Sequence, residues 1–152
     1  MTGNDFKKGI IDTLLRLGFM RKGTVMSRAT DDVDILIGFQ KGFGDQWFIN
    51  IGFCMRELIT TPLNKVEKTH MYYRCEGLFP HLRETILTAG SLSDVNQAES
   101  YQLLLNLLET EIDTQLRTLS SVAGLSLANK SGQLNNGLVT KEARQYLNEI
   151  ES

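Results

Sequence analysis

The chain has 152 residues, enough for one domain with a core of its own and no disulfides or metals. Hydrophobic residues make up 41% and charged residues 22%, which excludes a disordered or fibrous chain. A formal net charge of −2 argues against general attraction to nucleic acid or anionic membranes.

No apolar run approaches the roughly 18 residues that span a bilayer. The opening Met-Thr-Gly-Asn-Asp-Phe-Lys-Lys lacks the apolar stretch and cleavage site of a secretory signal. Two cysteines, Cys54 and Cys75, form no disulfide framework, and a reducing cytoplasm is the expected location.

Residues 4–17 read as an amphipathic helix. Phe6, Ile10, Leu14 and Leu17 recur at helical spacing, Asn4 suits the N-cap, and Gly18 can take a left-handed position that folds Phe19 back. Gly9 is a weak point in this helix, and close approach of another backbone would explain it.

Four strands follow. The first spans residues 24–29, and Asp31-Asp32 supply a turn. Residues 33–40 alternate with Val33, Ile35, Ile37 and Phe39 on one face, and residues 47–55 with Trp47, Ile49, Ile51, Phe53 and Met55. Pairing Phe39 with Trp47, Ile37 with Ile49 and Ile35 with Ile51 places these apolar residues together, with Gly42-Phe43-Gly44 as the tip and Gly44 left-handed. The opposite face carries Gln40, Asn50, Gly38, Gly52, Phe48 and Cys54. It is expected to be solvated and shallowly concave. Residues 56–68 read as a loop broken by Pro62, and residues 69–76 as the fourth strand.

Residues 78–89 fit a helix opened by Pro80 or a strand over Thr85–Thr88. Residues 94–121 form a long helix capped by Ser93. Tyr101, Leu104, Leu105, Leu108, Ile112, Leu116 and Leu119 make its apolar stripe, and Glu99, Glu109 and Asp113 its acidic side. Residues 124–139 read as a polar loop, and a last helix starts near Thr140. The predicted fold is a single α+β domain over 1–152: an antiparallel sheet of about four strands packed against the N-terminal helix and the long helix of the C-terminal half.

Catalytic and metal motifs are weak. His70 with Cys75 lacks a second pair at zinc spacing. Cys54 or Cys75 with His70 or His81 lacks a local signature for a thiolate nucleophile. Asp31-Asp32-x-Asp34 lacks the glycine and distal glutamate of a calcium loop. Gly42-Phe43-Gly44 is followed by a strand, whereas a phosphate cradle leads into a helix. Arg16, Arg21, Lys22, Arg28 and Lys41 near Phe43 and Trp47 give nucleic-acid binding slight support, without a recognition helix. No cofactor and no metal site is expected.

Charge is uneven along the chain. Residues 1–30 hold Lys7, Lys8, Arg16, Arg21, Lys22 and Arg28 against Asp5 and Asp12, and residues 91–120 hold Asp94, Glu99, Glu109, Glu111 and Asp113 against Arg117. Solvated faces account for this, as does an acidic surface for a basic partner.

Leu17-Gly18-Phe19, then Gln40-Lys41, then Asn50-Ile51-Gly52 resembles the pattern of a bacterial family of small α+β domains of unassigned function, and Tyr73-Arg74-Cys75-Glu76-Gly77-Leu78 is similar to a later stretch of it. The resemblance spans about the first 80 residues. It implies that some members act as immunity proteins, and it brings no catalytic residue. The expected function is therefore that of a non-enzymatic bacterial interaction protein which binds and blocks a cognate toxin or effector. Glu99, Glu109 and Asp113 would steer the protein partner, and Gln40, Asn50 and Trp47 would contact it. A small-molecule or peptide sensor and an uncharacterised enzyme are the alternatives.

Overall fold

A computed structural model describes residues 1–30, 32–58, 66 and 69–151. Pro62 and Asp31, read above as loop and turn residues, lie outside the described residues.

Helix α1 spans Gly3–Arg16. Its cap is Thr2 rather than Asn4: the Asp5 N–H donates to Thr2 Oγ1 at 3.1 Å and the Thr2 N–H to Asp5 Oδ2 at 2.9 Å. The other end closes as expected. Gly18 sits at φ 92°, its N–H donates to Leu15 O, and the Phe19 N–H returns to Leu14 O at 3.0 Å. Phe19 is thereby turned into the core. What crowds Gly9 is a side chain rather than a backbone, since a Cβ there would lie 2.2 Å from the Tyr101 hydroxyl.

Six strands form one antiparallel sheet in chain order: β1 Met20–Lys22, β2 Val25–Ala29, β3 Val33–Lys41, β4 Trp47–Met55, β5 Met71–Arg74 and β6 Leu138–Val139. The two strands beyond the expected four, β1 and β6, are too short to show a period. The β3–β4 register is shifted by two residues from the predicted one: Phe39 opposes Ile49, Ile37 opposes Ile51 and Ile35 opposes Phe53, while Trp47 opposes Lys41. A slip of two keeps every side chain on its face, so alternation cannot detect it. The tip is Phe43-Gly44-Asp45, closed by the Gly42 N–H to Gln46 O at 2.8 Å, with Gly44 left-handed at φ 61°. Contacts far along the chain hold this end of the hairpin. Gln46 bridges to Ser91, its amide donates to Leu87 O at 3.1 Å, and the Leu92 N–H donates to Asp45 O at 3.1 Å.

One sheet face meets the helices. Residues 83–90 are helix α3, not strand, after the one-turn α2 Cys75–Leu78 and a 3₁₀ turn at Pro80–Leu82. The long helix starts at Gln97 rather than 94 and runs as α4 Gln97–Leu107, a π-helical turn Leu108–Ile112, and α5 Asp113–Thr118. Ser93 does not cap it; the Ser93 hydroxyl bonds the Asp45 carboxylate instead. Residues 124–139 are mostly ordered structure rather than polar loop: α6 Val122–Ser131, a 3₁₀ turn Gln133–Asn136 and β6, before α7 Lys141–Glu151. Leu125, Ala128 and Leu134 are buried, so this segment contributes to the core. Ile10 and Leu14 of α1, Ile35, Ile51 and Phe53 of the sheet, and Leu104, Ile112 and Leu116 of the long helix share one cluster.

The opposite sheet face is partly covered, not open. Leu36, Cys54 and Val66 form a second small cluster with Val25 and Tyr72 against it. A Cβ on Gly38 would come within 2.9 Å of Val66, and one on Gly52 within 2.4 Å of the Thr69 hydroxyl. These glycines leave room for Val66 and Thr69 to lie directly on the sheet.

Candidate functional site

The strand β5 runs straight into α2, and this junction builds a cleft of about 630 Å³. Phe48 of β4, Arg74, Glu76 and Arg83 form one side, and Asn136 and Leu138 the other. The far wall is held close. The Tyr73 hydroxyl donates to Leu134 O at 3.0 Å, Leu138 pairs with Tyr72, and a Cβ on Gly137 would strike the Tyr73 ring at 2.5 Å. On the near wall the Arg74 guanidinium stacks 3.6 Å from the centre of the Phe48 ring.

Glu76 is the unusual group. It is 5% exposed, and neither carboxyl oxygen makes a hydrogen bond to another described residue. Burial pushes its pKa above the ordinary value of 4.5; its own backbone N–H and the charges of Arg74 and Arg83 pull partly the other way. A buried carboxyl with no hydrogen bond to another described residue is costly, and this one sits just behind the wall of the cleft. Arg74 and Arg83 add positive charge around it, so the cleft also offers donors to an acceptor or carboxylate.

None of the six residues expected at the interface lies in this cleft. Glu99 is exposed on α4. Glu109 is exposed but paired with Arg16 at 2.7 Å. Asp113 is buried and not part of an acidic surface: its Oδ1 accepts from Arg28 at 2.7 Å and its Oδ2 from Arg117 at 2.8 Å. Its i, i+4 spacing from Arg117 is local, but the partner that buries it is 85 residues away. Gln40 and Asn50 are joined by an Asn50 Nδ2 to Gln40 Oε1 bond of 3.2 Å. Trp47 is half-buried, with the Lys7 ammonium 4.8 Å from its ring centre.

The alternation of residues 69–76 places Glu76 at the end of a strand and so hides its burial. A signal was present: it is the one charged residue in Cys75–Phe79, amid Cys75, Leu78 and Phe79.

The thiols are buried and unpaired. Burial, with a smaller push from Asp34, raises Cys54 to about 11 against a backbone hydrogen bond at His70, and burial together with the Glu76 charge pushes Cys75 up further. Neither is a thiolate at neutral pH. His70 Nδ1 accepts from the Met55 N–H at 3.1 Å and extends the β4 edge, and His81 Nε2 contacts the Glu111 carboxylate. The Asp32 carboxylate accepts from the Val122 N–H at 3.0 Å at the start of α6, and Asp34 pairs with Arg56. Among the described residues no three His, Cys, Asp or Glu side chains are placed to hold a metal ion, and no helix is long and apolar enough to cross a membrane.

A family model described as Domain of unknown function (DUF4304) matches residues 10–121, extending well past the strands that carried the resemblance. No curated protein and no solved structure matches the chain.

Proposed function

Since the chain belongs to that family, whose description assigns no activity, we propose from its own geometry that it is a non-enzymatic interaction protein receiving a segment of a protein partner in the Glu76 cleft. The observation that carries this is the buried Glu76 carboxyl, which makes no hydrogen bond to another described residue, set beside Arg74 and Arg83. A partner loop offering a donor to Glu76 and a carboxylate or carbonyl to the arginines would satisfy both. The finer reading is that of a bacterial immunity protein that acts in the cytoplasm and blocks a cognate toxin or effector by covering its working surface. The mechanism is then steric, with the amphoteric cleft fixing register. Lost activity of the partner follows from occupancy alone.

Co-expression with the product of an adjacent gene tests this. A co-purifying complex and restored growth are expected, and Arg83→Glu, at an exposed position on the cleft, should lose both without loss of fold. A complex that forms equally well with Arg83→Glu and Glu76→Gln would remove the cleft from the interface.

The cleft volume, about 630 Å³, favours a second reading, because it falls in the range of small-molecule sites. A sensor would be stabilised by a small amphoteric ligand in a thermal-shift screen, whereas a pure protein binder would not.

A further inference from the structure

We infer that the free edge of β3 beside α1 is a strand-addition site for an extended acidic peptide segment of a partner protein, a second surface independent of the Glu76 cleft.

The edge is defined by hydrogen-bond direction. The Thr30 N–H donates to Val33 O at 3.0 Å, so the odd-numbered residues of β3 turn their backbone groups toward β2. The Arg56 N–H to Asp32 O and Gly42 N–H to Gln46 O bonds show the even-numbered ones turned toward β4. Pairing with β2 ends at Met26 opposite Ile37. The N–H and C=O of Phe39, and of Lys41 beyond it, therefore emerge on an edge that no described strand covers.

A groove of about 850 Å³ lies over this edge and wraps both faces of the sheet. Lys7, Phe39 and Trp47 bound it on the helix side, and Gly38, Asn50 and Val66 on the other. A strand laid on the edge sends successive side chains to alternate faces, which is the shape of this space. Asn50, at the wall, is 7% exposed, and its buried Oδ1 makes no hydrogen bond to a described residue.

Charge decides the occupant. Lys7, Lys8 and Arg21 line the groove against Asp12 alone, and Asp12 is already paired with Lys8 at 3.5 Å. Lys7 and Arg21 remain, which suits acidic side chains on the added strand. This absorbs the basic excess of residues 1–30 noted from the sequence.

The test is titration with an acetylated octapeptide alternating aspartate and valine. A lysine–valine octapeptide and inorganic phosphate serve as controls. Trp47, the only tryptophan, reports the groove by fluorescence, and amide exchange reports Phe39. Saturable change in Trp47 emission with slowed exchange at Phe39 is expected for the acidic peptide alone. Reversal of Lys7 and Arg21 to Glu should weaken it by about tenfold or more. Glu76→Gln should leave it unchanged, so failure here and failure of the cleft reading are separate results. Three outcomes overturn the proposal: no response at millimolar acidic peptide, an equal response to the lysine peptide or to phosphate, or binding without protection of Phe39.

Discussion

Arg28 on β2 and Asp113 at the start of α5 meet in a 2.7 Å ion pair whose side chains are 9% and 10% exposed. The pair ties the hairpin to the long helix just after its π-helical turn. Arg28 Nη1 also donates to Leu17 O, and the Phe19 ring lies 4.5 Å beneath the guanidinium. The end of α1, the sheet and α5 thus converge on one arginine.

Removing one member of such a pair strands the other charge. Asp113→Asn is expected to cost about 3 kcal/mol in urea unfolding, whereas Arg28→Met with Asp113→Leu should recover most of the loss. A double variant no more stable than Asp113→Asn would mean that the pair contributes more than desolvation takes away.

Gly9 and Tyr101 make a second coupled pair. The Tyr101 hydroxyl donates to Phe6 O at 2.7 Å, in the space that a Cβ on Gly9 would fill. Helix propensity alone favours Gly9→Ala by about 1 kcal/mol. Displacing the hydroxyl outweighs this, so Gly9→Ala is expected to destabilise by about 1–2 kcal/mol. In a Tyr101→Phe background the same change should cost much less. Thermal melts of the four proteins measure this, and additive effects would refute the coupling.

Glu76 gives a pH dependence. A carboxyl whose folded pKa is raised binds its proton more tightly in the folded state, so its contribution falls as pH rises from about 4.5 through the folded value. Glu76→Gln should therefore be more stable than the parent at pH 7, by about 1–2 kcal/mol, with the gap closing below about pH 4. Urea midpoints across that range check the sign. A variant that is less stable at pH 7 would show that the carboxylate is satisfied in solution and has no need of a partner's donor.

The cysteines should be inert. With Cys54 raised to about 11 and Cys75 pushed higher still, both 0% exposed, neither thiol should react with a disulfide reagent at neutral pH until denaturant is added. Rapid labelling of either in the native protein would revive a thiol-based enzyme.

Much of the local structure was determined by the sequence itself. The alternation of residues 33–39 and 47–55 sets which side chains face the helices, and Leu17-Gly18-Phe19 closes α1, because both act within a few residues of chain. Tertiary structure decided the rest. The β3–β4 register depends on which of two face-preserving pairings the α3–α4 connection grips, and Ser91 and Leu87 lie more than 40 residues from Gln46 (|i−j| 41 for Leu87). The ordering of residues 124–139 depends on burying Leu125 and Leu134 against distant partners. Asp113 looks like a surface acid by period and becomes a buried counter-ion only because Arg28 arrives from another strand. Glu76 looks like a strand terminus and becomes a buried carboxyl beside a cleft whose other wall, residues 135–138, comes from about 60 residues along the chain. Charge and solvation depend on what packs nearby, and neighbours brought together from across the chain leave no period in the sequence.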